Sequence, residues 1–132
     1  MARKASTQPT DVEIAILRVL WERGPSTVRE VHEALQDGGD RGETGYSTTL
    51  KMMQVMLEKG LLSRDESRRP QVYAPSQPEA QTQRQMLDDL LQRVFGGSAR
   101  KLVLRAVESD KVSAEELSEI RELLKQLEGD KP

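Results

Sequence analysis

The stretch Tyr46-Ser47-Thr48-Thr49-Leu50-Lys51-Met52-Met53-Gln54-Val55-Met56-Leu57-Glu58-Lys59-Gly60 decides the fold. Its apolar residues recur at three- and four-residue intervals, the period of a helix with one buried face, and Gly60 ends it. Tyr46, Leu50, Met53 and Leu57 read as the inward face, with Thr48, Lys51, Met52 and Val55 on the other. Hydrophobes on a solvated face leave apolar area in water without return, so Met52, Val55 and Met56 have two accounts. Either Met52 and Val55 touch a partner surface and Met56 completes the core, or all three are core and the helix is turned; we take the former.

Two helices precede this one. Thr10-x-x-Glu13 is a capping box, behind which Ile14, Leu17, Leu20 and Trp21 keep helical spacing until Gly24-Pro25. Ser26 or Thr27 then caps a second helix, with Glu30 three residues beyond Thr27 and Val28, Val31, Ala34 and Leu35 as its stripe. The polar, glycine-rich run Asp37–Gly45 reads as a loop between the second and third helices. After Gly60 the period changes, and Leu62–Glu66, a turn at Ser67-Arg68-Arg69-Pro70, and Gln71–Ala74 read as a two-stranded hairpin. Three helices followed by a hairpin with a basic tip is the order of a winged helix-turn-helix.

Pro75-Ser76-Gln77-Pro78 marks a boundary, and Ser76-x-x-Glu79 reads as a further capping box with Pro78 in the first turn. Three helices follow, one ending at Gly96-Gly97, one opening at Ser98, and one opening at the box Ser113-x-x-Glu116. Their apolar stripes comprise Leu87, Leu90, Leu91 and Val94, then Leu102 and Val103, then Leu117, Ile120, Leu124 and Leu127 in near-heptad spacing. A segment this short buries too little area for an independent core, and with no cysteine and no evident metal site a second copy is the economical partner. The expected organisation is a flexible arm over residues 1–9, a winged-helix domain over 10–75 and a helical dimerisation domain over 76–132. The expected class is mainly α.

Composition bounds the function. The net charge of −2 divides into 11 Lys+Arg against 11 Asp+Glu in residues 1–75 and 9 against 11 in 76–132, so 0 and −2. Nucleic-acid binding therefore needs a local basic face on a neutral domain. No window resembles a membrane span or a signal core, and cysteine is absent, which together predict a cytoplasmic protein. No catalytic constellation or phosphate loop is present, so an enzyme is not expected, nor is a cofactor. His32, the single histidine, has no ligand-type neighbours and reads as a surface side chain rather than a metal ligand.

In a helix-turn-helix the exposed side chains of the second helix of the motif enter the major groove, which makes Ser47, Thr48, Thr49, Lys51, Met52 and Val55 the candidate DNA contacts. Threonine hydroxyls reach phosphate or base edges, their methyls pack on thymine, and Lys51 reaches phosphate or guanine. Arg68 and Arg69 either grip phosphate from the hairpin tip or form an ordinary charged turn. Arg3 and Lys4 belong to an arm expected to be floppy rather than bound in a minor groove.

The runs Ala15–Val31, Tyr46–Met53 and Leu57–Leu62 resemble the penicillinase-repressor family of BlaI/MecI/CopY-like regulators, and Val94–Ser98 and Ser113–Ile120 resemble its dimerisation region. Roughly residues 10 to 127 share the likeness. It implies a homodimer on a palindromic double-stranded DNA operator, often encoded beside a membrane metalloprotease sensor. It also implies derepression by a cut in the fifth helix, which by position falls at Arg105-Ala106, where known members carry Asn-Phe. The copper-responsive branch relies on C-terminal cysteine pairs, which this chain lacks. The competing expectation is a winged-helix protein-interaction module that never touches DNA.

Overall fold

The computed structural model describes residues 8–38 and 45–130, and the arm residues Arg3 and Lys4 and most of the Asp37–Gly45 loop lie outside them. The order is α1 (Asp11–Arg23), α2 (Val28–Gly38), α3 (Tyr46–Lys59), β1 (Leu62–Asp65), β2 (Val72–Pro75), α4 (Glu79–Phe95), α5 (Ala99–Glu108) and α6 (Ala114–Asp130). The described residues are mainly α, with three helices, a hairpin and three further helices.

The chain divides into two compact units, Met1–Met86 and Leu87–Pro132, and the division falls inside α4, beyond the Pro75–Pro78 stretch. In the first unit one core joins Ile16, Leu17 and Leu20 of α1, Val28, Val31 and Leu35 of α2, and Met53 and Met56 of α3. Leu62 and Tyr73 of the hairpin complete it. Several helix ends are set by local chemistry. Thr10 Oγ1 accepts from Glu13 N at 3.2 Å while Thr10 N donates to Glu13 Oε1 at 2.9 Å, and Thr27 and Glu30 repeat the exchange at the start of α2. Gly60 closes α3 at φ +84°, a left-handed conformation that a side chain would strain.

Three expectations are corrected. The second helix runs on through Asp37 to Gly38 instead of stopping at a loop before them. The strands are Leu62–Asp65 and Val72–Pro75, shorter at Glu66 and shifted by one at the second strand. Asp65 Oδ1 accepts from both Ser67 N and Ser67 Oγ, at 3.0 and 2.6 Å, which turns the chain before Glu66 can pair. The Ser76/Glu79 capping box does not form, because Gln77 precedes a proline and is steered out of helical conformation. Instead α4 begins after Pro78, whose carbonyl accepts from Gln81 N and Thr82 N, while Glu79 accepts from Gln83 Nε2.

The hairpin is antiparallel, with Leu62 opposite Pro75 and Asp65 opposite Val72. A contact not foreseen from sequence ties it to the helices. Ser26 and Tyr73 exchange two backbone hydrogen bonds, at 3.0 and 2.8 Å, so the residues leading into α2 act as a one-residue third strand beside β2.

In the second unit Ser98 caps α5 and the Ser113/Glu116 box caps α6 as the spacing predicts. Gly97 N donates to Leu91 O across the end of α4. None of its described residues is buried. Val94, Leu123, Leu124 and Leu127 are each more than half exposed.

Candidate nucleic-acid interface

The outer face of α3 is set by what its inner face must bury. Thr49, Met53 and Met56, spaced i, i+4 and i+7, are essentially inaccessible, at 1%, 0% and 0% exposure. Leu50 and Leu57 are half-buried beside them. The outward face left by this phase carries Ser47, Thr48, Lys51, Gln54, Val55 and Glu58, all exposed. The helix is thus turned from the orientation its leucines suggest, because the longer methionine side chains reach the α1–α2 core better than a Tyr46/Leu50 row does.

This phase moves several residues. Thr49 belongs to the core and not to the free face, with its hydroxyl 3.1 Å from His32 Nδ1 of α2. Met56 completes the core as expected, but Met52 is half-buried against it, leaving Val55 as the hydrophobe that stands free. Tyr46 is 39% exposed and not inward. His32 is half-buried and partnered, correcting its reading as a plain surface side chain. Its ring meets Tyr46 edge-on, centroids 5.8 Å apart at 84°, and Arg29 stands over the same tyrosine ring at 4.9 Å. Arg29, His32 and Tyr46 thus join α2 to the first turn of α3. The i, i+3 spacing of Arg29 and His32 was the available signal, but its meaning depends on where Tyr46 lands.

Arg68 and Arg69 are exposed in the turn after β1. The Asp65 carboxyl is held below the usual range chiefly by the Ser67 hydroxyl and backbone N–H, with Arg68 adding to it. Glu30 in the first turn of α2 is also held low, first by its bond from the Thr27 backbone and further by Arg23 and Arg68. Arg68 thus adds a small favourable charge to both the hairpin and the start of α2. Arg64 is not free in the same way, since it pairs with Glu66 at 2.7 Å.

Lys59 at the end of α3 donates to Glu13 Oε2 at 2.8 Å. Glu13 is 5% exposed, and burial alone raises a carboxyl. The Lys59 and Thr10 hydrogen bonds outweigh that effect, so Glu13 sits below its ordinary value and is a carboxylate at neutral pH.

Among the described residues no three His, Asp or Glu side chains are grouped as a metal site requires, and no helix is long and apolar enough to cross a membrane. In the second unit, Leu87, Leu90, Val94, Val103, Leu117, Leu124 and Leu127 are exposed, whereas Leu91, Leu102 and Ile120 are half-buried. Leu123, absent from the stripe read in the sequence, is 57% exposed as well. Arg105 and Ala106 lie exposed within α5, with Arg105 Nη1 3.3 Å from Glu108.

Three helices closed by a wing, with a largely polar outer face bearing Lys51 on the third, define a winged helix-turn-helix protein. The sequence profile of the penicillinase repressor family matches residues 9–126, and the chain belongs to that family. It is 33% identical over 125 residues to the transcriptional regulator BlaI of Mycobacterium tuberculosis, across 93% of this chain and 87% of the relative. It is 26% identical over 124 residues to the penicillinase repressor of Bacillus licheniformis, across 93% and 94% respectively. The chain is accordingly a transcriptional regulator of the repressor class and not an enzyme.

Proposed function

We propose that the protein is a homodimeric repressor that occupies a palindromic operator, each protomer placing α3 in a major groove and its wing tip on the flanking backbone. The observation that carries this is the division of α3. One face is spent on the core through Thr49, Met53 and Met56, while Ser47, Thr48, Lys51 and Val55 have no internal work. Hydroxyls and a methyl-bearing side chain read base edges, and Lys51, Arg68 and Arg69 neutralise phosphate. Neutral overall charge is compatible with this, since affinity for DNA depends on the local cations that displace counterions.

Dimerisation is supported by the second unit, which has no fully buried side chain among its described residues and exposes rows of leucine and valine. Apolar rows of this extent on short helices are stabilised by a matching copy, and a two-fold dimer matches a two-fold operator. Release is by proteolysis in α5 at Arg105–Ala106, through a membrane metalloprotease sensor. Cleavage there severs the exposed row before α6, and the bond becomes accessible when this helix, which has no buried residues, opens locally.

Fluorescence anisotropy with the duplex upstream of the protein's own gene and a random duplex of equal length tests the reading. Preference for the former supports the repressor; equal or absent binding favours a protein-interaction module. Intact protein after incubation with membranes carrying the cognate protease, analysed by mass spectrometry, would remove the proteolytic step.

A further inference from the structure

Arg29 and Tyr46 belong to different helices of the motif, and neither was singled out as a contact by the pattern of α3 or of the wing. The Arg29 guanidinium carbon stands 4.9 Å from the centre of the Tyr46 ring. The same ring meets His32 edge-on, and His32 is bound to the buried Thr49 hydroxyl at 3.1 Å. The ring is therefore anchored to the core, and it holds in place an arginine that is itself exposed. Among the described residues Arg29 makes no ion pair, whereas Arg23 and Arg64 of the same unit face Glu30 and Glu66. A guanidinium that rests on an aromatic face keeps N–H donors at its rim, in the fork geometry that matches two phosphate oxygens.

Position agrees with this chemistry. Arg29 lies in the first turn of α2 and Tyr46 in the first turn of α3, beside the exposed Ser47 and Thr48. In helix-turn-helix proteins the first helix of the motif crosses the sugar–phosphate backbone while the second enters the groove. A cation stacked on a ring at that crossing, with no ion pair among the described residues, has lost part of its rotamer freedom before binding, so less is lost on contact.

We infer that Arg29 is a further DNA-backbone contact, a phosphate-binding side chain set in place by Tyr46 and His32. This rests on the repressor reading above. Its partner is the phosphodiester of duplex DNA, with no preference among bases.

The test is the dependence of affinity on salt for the full chain, measured on both the promoter duplex and the random duplex. Arg29→Gln lowers the slope of log affinity against log salt by about 0.9 per bound protomer on both duplexes. Arg29→Lys keeps the slope, because the charge remains, while affinity falls for lack of stacking and a second donor. Thermal melting at the wild-type temperature establishes that both variants are folded. An unchanged slope in Arg29→Gln overturns the inference whether or not affinity drops, as does an equal loss of slope in Arg29→Lys. If the wild type shows no promoter preference, the repressor reading fails while the random duplex still tests Arg29; no binding to either duplex overturns both.

Discussion

Lys59 Nζ stands 2.8 Å from Glu13 Oε2, joining the last turn of α3 to the first turn of α1 across 46 residues of sequence. Glu13 also belongs to the capping box that starts α1, so one carboxylate both begins a helix and pins the far end of another. The pin matters for function because α3 is held to the core by only a few side chains, and its orientation decides which residues face outward.

The Glu13 carboxyl sits below its ordinary value of 4.5, so its charged-state contribution is present above that value and lost as pH falls through the lower, folded one. Glu13→Gln therefore costs about 1 kcal/mol at pH 7 and less at pH 3, which lies below the ordinary carboxyl value. Urea midpoints of both proteins at the two pH values check this. An equal gap at both would show that the charge contributes nothing.

Thr48 and Thr49 are neighbours with opposite duties. Thr49→Val leaves His32 Nδ1 without its partner and destabilises by about 1–2 kcal/mol, with any change in DNA affinity following from stability alone. Thr48→Val leaves stability within about 0.5 kcal/mol and weakens or redirects operator binding, since its hydroxyl is exposed. Unfolding curves and anisotropy titrations on both variants separate the two roles, and a reversed pattern would mean that α3 is turned the other way.

Lys51→Ala and the double change Arg68→Ala/Arg69→Ala remove cations from the outer face and the wing. Each lost phosphate contact flattens the salt slope by roughly 0.9. Val55→Ala, by contrast, changes preference among base substitutions and leaves the slope alone. Salt titrations on one duplex check the cation variants, and lines parallel to wild type would remove those residues from the interface; titrations on duplexes with single base changes check Val55→Ala, and an unchanged preference would remove Val55.

Leu124→Asp places a charge in the exposed row of α6, where the side chain is 52% accessible. Separating the copies removes the partner that stabilises these short helices, so the helical circular-dichroism signal falls, while the first unit keeps its own core. Sedimentation then shows a monomer, and operator affinity falls by orders of magnitude because two half-sites are no longer bound together. A dimer persisting at micromolar concentration would place the contact elsewhere.

Much of the fold was legible because its signals are local. The pairs Thr10/Glu13, Thr27/Glu30 and Ser113/Glu116 satisfy helix ends within four residues, and Gly24, Gly60 and Gly96 stop helices by their own backbone preferences. The failures were also physical. Ser76 looked like a cap, but the proline two positions on excluded Gln77 from the helix. Glu66 looked like strand, but the Asp65 carboxylate captured Ser67 and turned the chain first.

Sequence alone thus determined the order of the elements, several of their ends, the wing and the family, since each depends on periodicity or on neighbours along the chain. Only the tertiary structure decided which side of α3 faces water. A helix bearing Leu50, Leu57 and three methionines has hydrophobes around much of its circumference, so periodicity leaves the angle open. Contacts distant in sequence, with Met53 and Met56 in the core, Thr49 on His32 and Lys59 on Glu13, settled it. The same packing brought Arg29 over Tyr46, a pairing that no spacing rule along the chain specifies.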